Sequence, residues 1–246
     1  MLGPLAACAD TFLPSCLIMY EIACTGGIPD VVLLDVDRDA LSERGDRAPL
    51  EQPIDVLVML ALQSSPALPI SVQALAAECH VSVGHLGRTV LPRLQAGRHV
   101  IAAVDGTGWS TAYMFRSLAR RVVTIEAKLK DWRGGLAQAA RHSAIADEAW
   151  LVIDESAIRP AAAHPAHFAM FDVGLASLSA EGRLKQLLAP QLNRSRQPGR
   201  ELLVERALAL HLAGRVSGDL PRVFGTVLVA SDGRDPRLVD NTASLP

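Results

Sequence analysis

A short charged triplet, Glu126-Ala127-Lys128, ends a run of β-favouring residues at Val122-Val123-Thr124-Ile125. Because side chains alternate between the two faces of a strand, Glu126 and Lys128 are expected to lie on the same face. A carboxylate beside an ammonium group at a strand end can hold a divalent cation and polarise a water molecule or a phosphate. An ion pair on an exposed strand uses the same two residue types, so the triplet alone leaves both interpretations open.

Two acidic residues earlier in the chain, Asp30 and Glu21, lie in or beside apolar runs that predict strands. Asp30 follows Pro29 at the start of an apolar run, Ile28–Val36, that predicts a buried strand. A charge in that place is also typical of a turn or cap. Glu21 lies nine residues earlier, inside a run at 16–23 that is itself strand-like.

The elements around the triplet predict a mixed α/β fold. A helix is expected over Asp131–Ala146, where Gly134-Gly135 lowers helix propensity near its start, and a strand over Glu148–Asp154. Strand, helix and strand in this order favour a parallel pair joined by a crossover. Later residues predict a hairpin (168–178 with 183–188) and a helix over 200–213, whereas the charged segment 38–53, broken by glycine and prolines, is expected to be a linker.

Between the two groups of strands, residues 49–116 change to helical spacing. Helices are expected from Ile54, over Ser71–Cys79 with Ser71 as N-cap, and over Val83–Ala96, followed by a hairpin. This order resembles the winged helix-turn-helix family, which binds DNA. The side chains of the third helix that could reach a groove are His85, Arg88, Thr89 and Arg93. Gly84, Gly87 and Pro92 weaken that helix, so packing or dimerisation without DNA contact remains the alternative.

Composition limits the classes of function. The 246 residues are 50% hydrophobic and 4% aromatic, with a net charge of −2, which excludes a globally basic nucleic-acid binder but permits a local basic patch. Such a patch lies between residues 116 and 141 and comprises Arg116, Arg120, Arg121, Lys128, Lys130, Arg133 and Arg141, against Glu126 and Asp131. The four cysteines show no C-x-x-C pair, and the first 24 residues have no basic region typical of a signal peptide. We therefore expect a reduced, cytoplasmic protein without a membrane span.

Pro29-Asp30 followed by Glu126-Ala127-Lys128 resembles the PD-(D/E)xK nuclease superfamily, also called restriction-endonuclease-like. The resemblance covers about residues 16–37 and 117–155 and rests on a short motif with an apolar strand before each acid. It implies an α/β (α+β) fold with a central mixed sheet flanked by helices. It also implies that Asp30 and Glu126 bind Mg²⁺ or Mn²⁺, and that Lys128 orients the attacking water.

The same resemblance suggests roles for further residues. Gln138, on the helix after the triplet, could bind a water or a phosphate oxygen, and Glu21 could be the additional acid that this superfamily often carries. Lys130, Arg133 and, in the inserted segment, Arg88 and Arg93 are candidates for contact with DNA. An ordinary solvated helix face would account for Gln138, Lys130 and Arg133 equally well.

One departure from the superfamily is the separation of 96 positions between Asp30 and Glu126. An inserted winged-helix-like module explains it, because insertion needs only that the ends of the module lie close together. We therefore predict a nuclease-like core (1–48 and 117–190), the inserted module (49–116), and a C-terminal helix and tail (191–246). The expected function is metal-dependent hydrolysis of DNA phosphodiester bonds. A non-catalytic DNA-binding regulator on a nuclease-like scaffold is the alternative, and a homodimer is left open.

Overall fold

The computed structural model describes residues 1–64, 68–193 and 198–218, and within these ranges the chain forms a six-stranded mixed sheet flanked by helices. The strands of this sheet lie in the order β1-β2-β5-β6-β7-β8. Their bounds are β1 Leu17–Tyr20, β2 Val31–Val36, β5 Ala119–Lys128, β6 Glu148–Asp154, β7 Val173–Leu178 and β8 Leu184–Leu188. A separate pair contains β3 Val100–Ala102 and β4 Trp109–Thr111.

Helices occur before, between and after these strands. In chain order they are α1 Leu2–Ala7, α2 Arg38–Arg44, α3 Pro53–Ser64, α4 Val72–Glu78, α5 Val83–His85, α6 Leu91–Ala96, α7 Trp132–His142, α8 Arg159–Ala162, α9 Pro165–Met170 and α10 Pro198–Leu212. No helix in the described ranges is long and apolar enough to cross a membrane.

The predicted parallel pair is confirmed. β5 pairs in parallel with β6, and α7 is the crossover between them, while β2 pairs antiparallel with β5 on its other side. The register places Val31 opposite Ile125 and Val123 opposite Glu148. The start of β2 and the end of β5 therefore meet at one edge of the sheet.

The two faces of the sheet follow the alternation of side chains along each strand. On one face, Val32 and Val122 belong to a buried cluster with residues of α10, and Leu151 packs with residues of α7. On the other face, Val31 and Ile125 pack with the N-terminal segment, which contributes Leu5, Ala9, Phe12 and Leu13. Asp30 is two positions from Val32, and Glu126 and Lys128 are an even number of positions from Val122. Because side chains alternate between faces, all three occupy the face that α7 and α10 cover.

Residues 37–118 leave the sheet between β2 and β5 and contain most of a separate hydrophobic cluster. Ser71 caps α4 by accepting a hydrogen bond from the Ala74 N–H, and Ser82 caps α5 in the same way through the His85 N–H. The expected third helix runs as α5, a π-helical turn at Leu86–Val90, and α6. The π turn precedes Pro92, which lacks the N–H that a regular helix would use there.

Several local expectations are corrected. The expected linker contains α2, which Asp37 caps by accepting hydrogen bonds from Asp39 N–H and Ala40 N–H. Phe168 belongs to α9, so the late hairpin begins at Val173. The return strand of the small hairpin, which the sequence predicts over 111–115, is observed earlier, at Trp109–Thr111. The sequence also predicts a break at 193–199 and a loose tail from 231; the tail and part of the break lie outside the described residues.

The C-terminal helix α10 is an integral part of the core. Its Arg200 binds Asp147 at 2.7 Å and donates to the Ser117 hydroxyl and the Ala119 carbonyl, where the chain returns to the sheet. Its Glu205 binds Arg44 at 2.6 Å, where the chain leaves the sheet. The two buried ion pairs therefore connect α10 to both crossings between the sheet and the inserted segment.

Candidate active site

Asp30 and the Glu126-Ala127-Lys128 triplet lie together at the edge where β2 starts and β5 ends. Asp30 Oδ2 accepts a hydrogen bond of 2.8 Å from the Ala127 N–H. Lys128 Nζ lies 2.6 Å from Glu126 Oε1, and the Glu126 side chain is 2% exposed while that of Lys128 is 27% exposed. The structure thus brings together three of the five residues that the sequence proposed for catalysis, and Lys128 is the more exposed partner of the Lys128–Glu126 pair.

The two carboxyl groups are held in a setting that disfavours their ionised forms. Burial, and then the nearby charge of Asp30, raise the pKa of Glu126, and the Lys128 hydrogen bond opposes this shift without cancelling it. Burial also raises the pKa of Asp30, against the opposing effects of the Ala127 N–H and Lys128. A divalent cation would favour the ionised forms of both carboxyl groups, against burial and the effect of Asp30 on Glu126.

His142, the last residue of α7, was not among the site residues predicted from the sequence. Its Nδ1 lies 3.9 Å from Glu126 Oε2, and both side chains are 2% exposed. Neither atom has a hydrogen-bond partner among the described residues. One signal was available, because His142 lies on the same helical stripe as the buried Gly135 and Ala139, which face the sheet.

Helix α7 lies against the side chain of Lys128. Asp131 caps its start by accepting a hydrogen bond of 2.9 Å from the Gly134 N–H. A Cβ atom at Gly135 would lie 2.8 Å from Lys128 Cγ and 2.6 Å from Leu151 Cδ1, so only glycine permits this approach. Gln138 is one turn beyond Gly135 and one turn before His142, partly buried on the same side of the helix.

The hairpin before Asp30 packs against the end of α7. A Cβ atom at Gly26 would lie 2.7 Å from the Arg141 carbonyl oxygen, and one at Gly27 would lie 3.4 Å from His142 Nε2. Gly27 also has a φ of +119°, which favours glycine. Gly26 and Gly27 therefore allow the hairpin to approach α7 closely.

Glu21 lies directly after β1, and its N–H donates to the Pro29 carbonyl. Since Tyr20 pairs with Val31, Glu21 is at the same edge of the sheet as Asp30. Its φ of +52° breaks the strand at this point. The structure therefore places Glu21 directly after a strand, at the sheet edge where Asp30 lies.

The basic residues proposed for DNA contact occupy two separate regions. Lys130 and Arg133 are exposed near the start of α7, and the Arg133 guanidinium lies 4.6 Å from the centre of the Trp132 ring. Arg88 is exposed in the inserted segment. Arg93 makes two hydrogen bonds to Asp55, of 2.5 and 3.1 Å, and thus joins α6 to α3. Arg93 therefore has a structural contact that its place in the sequence did not indicate.

The donor set at the edge of the sheet suits a cation that takes oxygen ligands. Asp30 and Glu126 supply two carboxylates, and Glu126 Oε2 is a buried acceptor atom without a hydrogen-bond partner in the described ranges. In those same ranges, no group of three or more His, Cys, Asp or Glu side chains is placed to hold a metal ion. A cation here would need waters or a substrate phosphate as its remaining ligands, as Mg²⁺ commonly does.

Comparison of the chain with protein-family models, with curated proteins and with solved structures gives no match. The functional assignment therefore depends on the geometry of the site.

Proposed function

We propose that this chain is a metal-dependent nuclease of the PD-(D/E)xK type that hydrolyses phosphodiester bonds in DNA. The observation that carries the proposal is the meeting of Asp30 with Glu126 and Lys128 on one face and at one edge of the sheet. The strand order supports a restriction-endonuclease-like core, since β2 and β5 are antiparallel neighbours and β5 continues through α7 into the parallel β6.

Each residue of the site has a chemical task in this proposal. Asp30 and Glu126 would hold Mg²⁺ or Mn²⁺ through their carboxylate oxygens. The cation, when bound, lowers the pKa of a bound water and neutralises charge on the reacting phosphate. Lys128, already next to Glu126, orients the attacking water and stabilises the negative charge that develops on the phosphate. Gln138, on the same side of α7, binds a water or a phosphate oxygen.

The inserted segment supplies DNA binding in this proposal. The capped helices α4 and α5, the turn between them and the β3–β4 hairpin have the order of a winged helix-turn-helix module. His85, Arg88 and Thr89 are exposed on the third helix, where a groove can be reached. Lys130 and Arg133 would contact the phosphate backbone nearer to the catalytic residues.

A cleavage assay tests the proposal. Wild-type protein is incubated with duplex, single-stranded and branched DNA in the presence of Mg²⁺, Mn²⁺ or EDTA, beside Glu126→Gln. We expect cleavage by the wild type that depends on the cation and is lost in Glu126→Gln. Glu181→Gln is the matched control, because Glu181 is exposed and pairs with Arg183 in the turn between β7 and β8. Equal cleavage by wild type and Glu126→Gln would overturn the proposal.

The second candidate function is a DNA-binding regulator without catalysis. The observation that favours it is the direct ion pair between Lys128 and Glu126, which satisfies one carboxylate oxygen without a metal ion. DNA binding by a wild-type protein that neither takes up a cation nor cleaves any of the substrates would decide for this candidate.

A further inference from the structure

The side chains of Glu126 and His142 approach each other in the protein interior without forming a hydrogen bond. A hydrogen bond between nitrogen and oxygen needs about 2.7 to 3.2 Å, whereas His142 Nδ1 and Glu126 Oε2 lie 3.9 Å apart. Both atoms are buried and lack a hydrogen-bond partner in the described part of the chain. Buried polar atoms without partners are rare in folded proteins because each costs free energy. Two such atoms that face each other are most simply satisfied by each other.

The protonation state of the imidazole is compatible with this bond. Burial lowers the pKa of His142 to about 4, and the positive charges of Arg141 and Lys128 act in the same direction. His142 is therefore neutral at physiological pH and carries one N–H, on either Nδ1 or Nε2. With the hydrogen on Nδ1, the ring is a donor directed at a carboxylate oxygen that has no other donor among the described residues.

The surroundings limit where the ring can move. On the Nε2 side lies Gly27, where a Cβ atom would be 3.4 Å from that nitrogen. On the Nδ1 side lies Glu126, whose other oxygen is bound to Lys128 at 2.6 Å. The charges of Asp30, Lys128 and Arg141 also influence the pKa of Glu126. The ring thus lies between the hairpin on its Nε2 side and the buried carboxylate on its Nδ1 side.

We propose that His142 is a positioning residue of this site, whose Nδ1–H donates a hydrogen bond to Glu126 Oε2. With Lys128 on Oε1 and His142 on Oε2, the plane of the carboxylate is set, and its remaining lone pairs are directed to a divalent cation. Partners of this kind orient ligands and tune metal sites, and their loss typically reduces metal affinity or activity by about 10- to 100-fold. The cation-binding part of this inference rests on the proposed function, whereas the hydrogen bond does not.

Two substitutions separate the hydrogen bond from the volume of the ring. In His142→Asn, the side-chain amide nitrogen takes the place of Nδ1 and keeps a donor. In His142→Leu, a side chain of similar branching has no donor. Binding of Mn²⁺ and Ca²⁺ is measured by titration calorimetry on the full chain without DNA. His142→Leu is expected to weaken binding by about 10- to 100-fold, and His142→Asn to restore most of the loss.

The control is His80→Asn, since His80 is exposed and has a φ of +54°, which asparagine tolerates. Its cation affinity should equal that of the wild type. If His142→Leu binds both cations as tightly as the wild type, or if His142→Asn is as weak as His142→Leu, the positioning role is overturned. Absence of cation binding by the wild type would instead overturn the proposed function, and the hydrogen bond is then decided by spectroscopy alone.

A spectroscopic measurement on the wild type does not depend on the folding of any variant. In protein labelled with ¹⁵N-histidine, long-range ¹H–¹⁵N correlations report which ring nitrogen carries the hydrogen, and His142→Asn identifies the signals. We expect a neutral ring with the hydrogen on Nδ1. A hydrogen on Nε2 would overturn the inference. Direct ¹⁴N coupling to bound Mn²⁺ in electron spin echo spectra, lost in His142→Asn, would do so as well, since His142 would then be a ligand.

Discussion

Asp30 Oδ2 accepts a hydrogen bond of 2.8 Å from the backbone N–H of Ala127, which lies 97 positions later in the chain. Backbone pairing of β2 with β5 stops at Val31 and Ile125, and the carboxylate of Asp30 extends the pairing by one step. Ala127 is the middle residue of the charged triplet, so this bond places Asp30 next to Glu126 and Lys128. The same hydrogen bond therefore ends the β2–β5 pairing and places Asp30 in the candidate active site.

The ammonium group of Lys128 is expected to contribute to chemistry more than to cation binding. Lys128→Met keeps the aliphatic stem and removes the charge. We predict that cleavage falls by about 100-fold or more, the range typical of a group that assists proton transfer or stabilises charge in the transition state. Lys185→Met, at an exposed position on the edge strand β8, should leave the rate of cleavage nearly unchanged. Rates are measured under single-turnover conditions, and equal effects of the two substitutions would contradict this role.

Asp30 should reduce the stability of the protein at neutral pH when no cation is present. Its pKa is raised by burial, so folding favours the protonated form, and ionisation as the pH rises through the raised pKa costs stability. Asp30→Asn keeps an acceptor for the Ala127 N–H and removes the charge. We predict a gain of about 1 kcal/mol in the free energy of unfolding at pH 7.5, which shrinks as the pH falls toward the ordinary value of 3.8.

Urea unfolding at a series of pH values measures this effect. Asp105→Asn is the control of opposite sign, because hydrogen bonds from Thr107 lower the pKa of Asp105. That substitution should not stabilise the protein at neutral pH. A gain in Asp30→Asn that persists unchanged in acid would show that the charge is not its cause.

The close approach of α7 to Lys128 depends on Gly135. In Gly135→Ala the added methyl group would meet Lys128 Cγ and Leu151 Cδ1 at 2.8 and 2.6 Å. We predict a loss of about 1 to 3 kcal/mol in the free energy of unfolding from overpacking, together with slower cleavage. The comparison is Gly87→Ala, where the nearest atom outside the helix backbone, Val72 Cγ1, is 3.7 Å away and alanine should be neutral or stabilising. Thermal and urea unfolding of both variants provide the measurement.

Removing only one partner of the buried ion pair between Arg44 and Glu205 should strongly reduce the free energy of unfolding. Glu205 binds Arg44 through both oxygens and also accepts the Leu50 N–H. Arg44→Met leaves a carboxylate that is 3% exposed without its cation, so we predict a loss of about 3 to 5 kcal/mol in the free energy of unfolding. The double variant Arg44→Met/Glu205→Leu should recover part of that loss, since no unpaired buried charge remains. Urea unfolding of the single and double variants measures it, and a double variant less stable than Arg44→Met would contradict the explanation.

Arg88 and Arg93 are expected to differ although both belong to the third helix of the inserted segment. Arg88→Ala should weaken DNA binding and reduce the slope of log K against log salt concentration by about one, without a change in stability. Arg93→Ala leaves the Asp55 side chain, 6% exposed, without its partner, and should lower stability by about 1 to 3 kcal/mol. Fluorescence anisotropy at several salt concentrations and urea unfolding separate the two effects. DNA binding unaffected by Arg88→Ala would make the segment a packing or dimerisation element.

Patterns between neighbouring residues were sufficient for much of the fold. Alternation along the strand predicted that Glu126 and Lys128 share a face, and they do. The sequence of apolar runs and helical spacing predicted the parallel pair of β5 and β6, and Ser71 was identified as a cap from its place before α4. The prediction of a linker at 38–53 was wrong for a local reason as well. Asp37 could have been recognised as the cap of α2, but the charges and the glycine of the segment favoured a linker.

Contacts between distant residues were decided by the tertiary structure. The position of Asp30 beside Ala127 required residues 37–118 to leave the sheet and return at the neighbouring strand. The approach of His142 to Glu126, and the use of Arg93 for Asp55, depend on how helices pack, since a side chain's partners across space leave no periodic signal along the chain. Local periodicity determined the elements and the faces of the triplet, whereas the burial of Glu126, its partners and its raised pKa arose from packing.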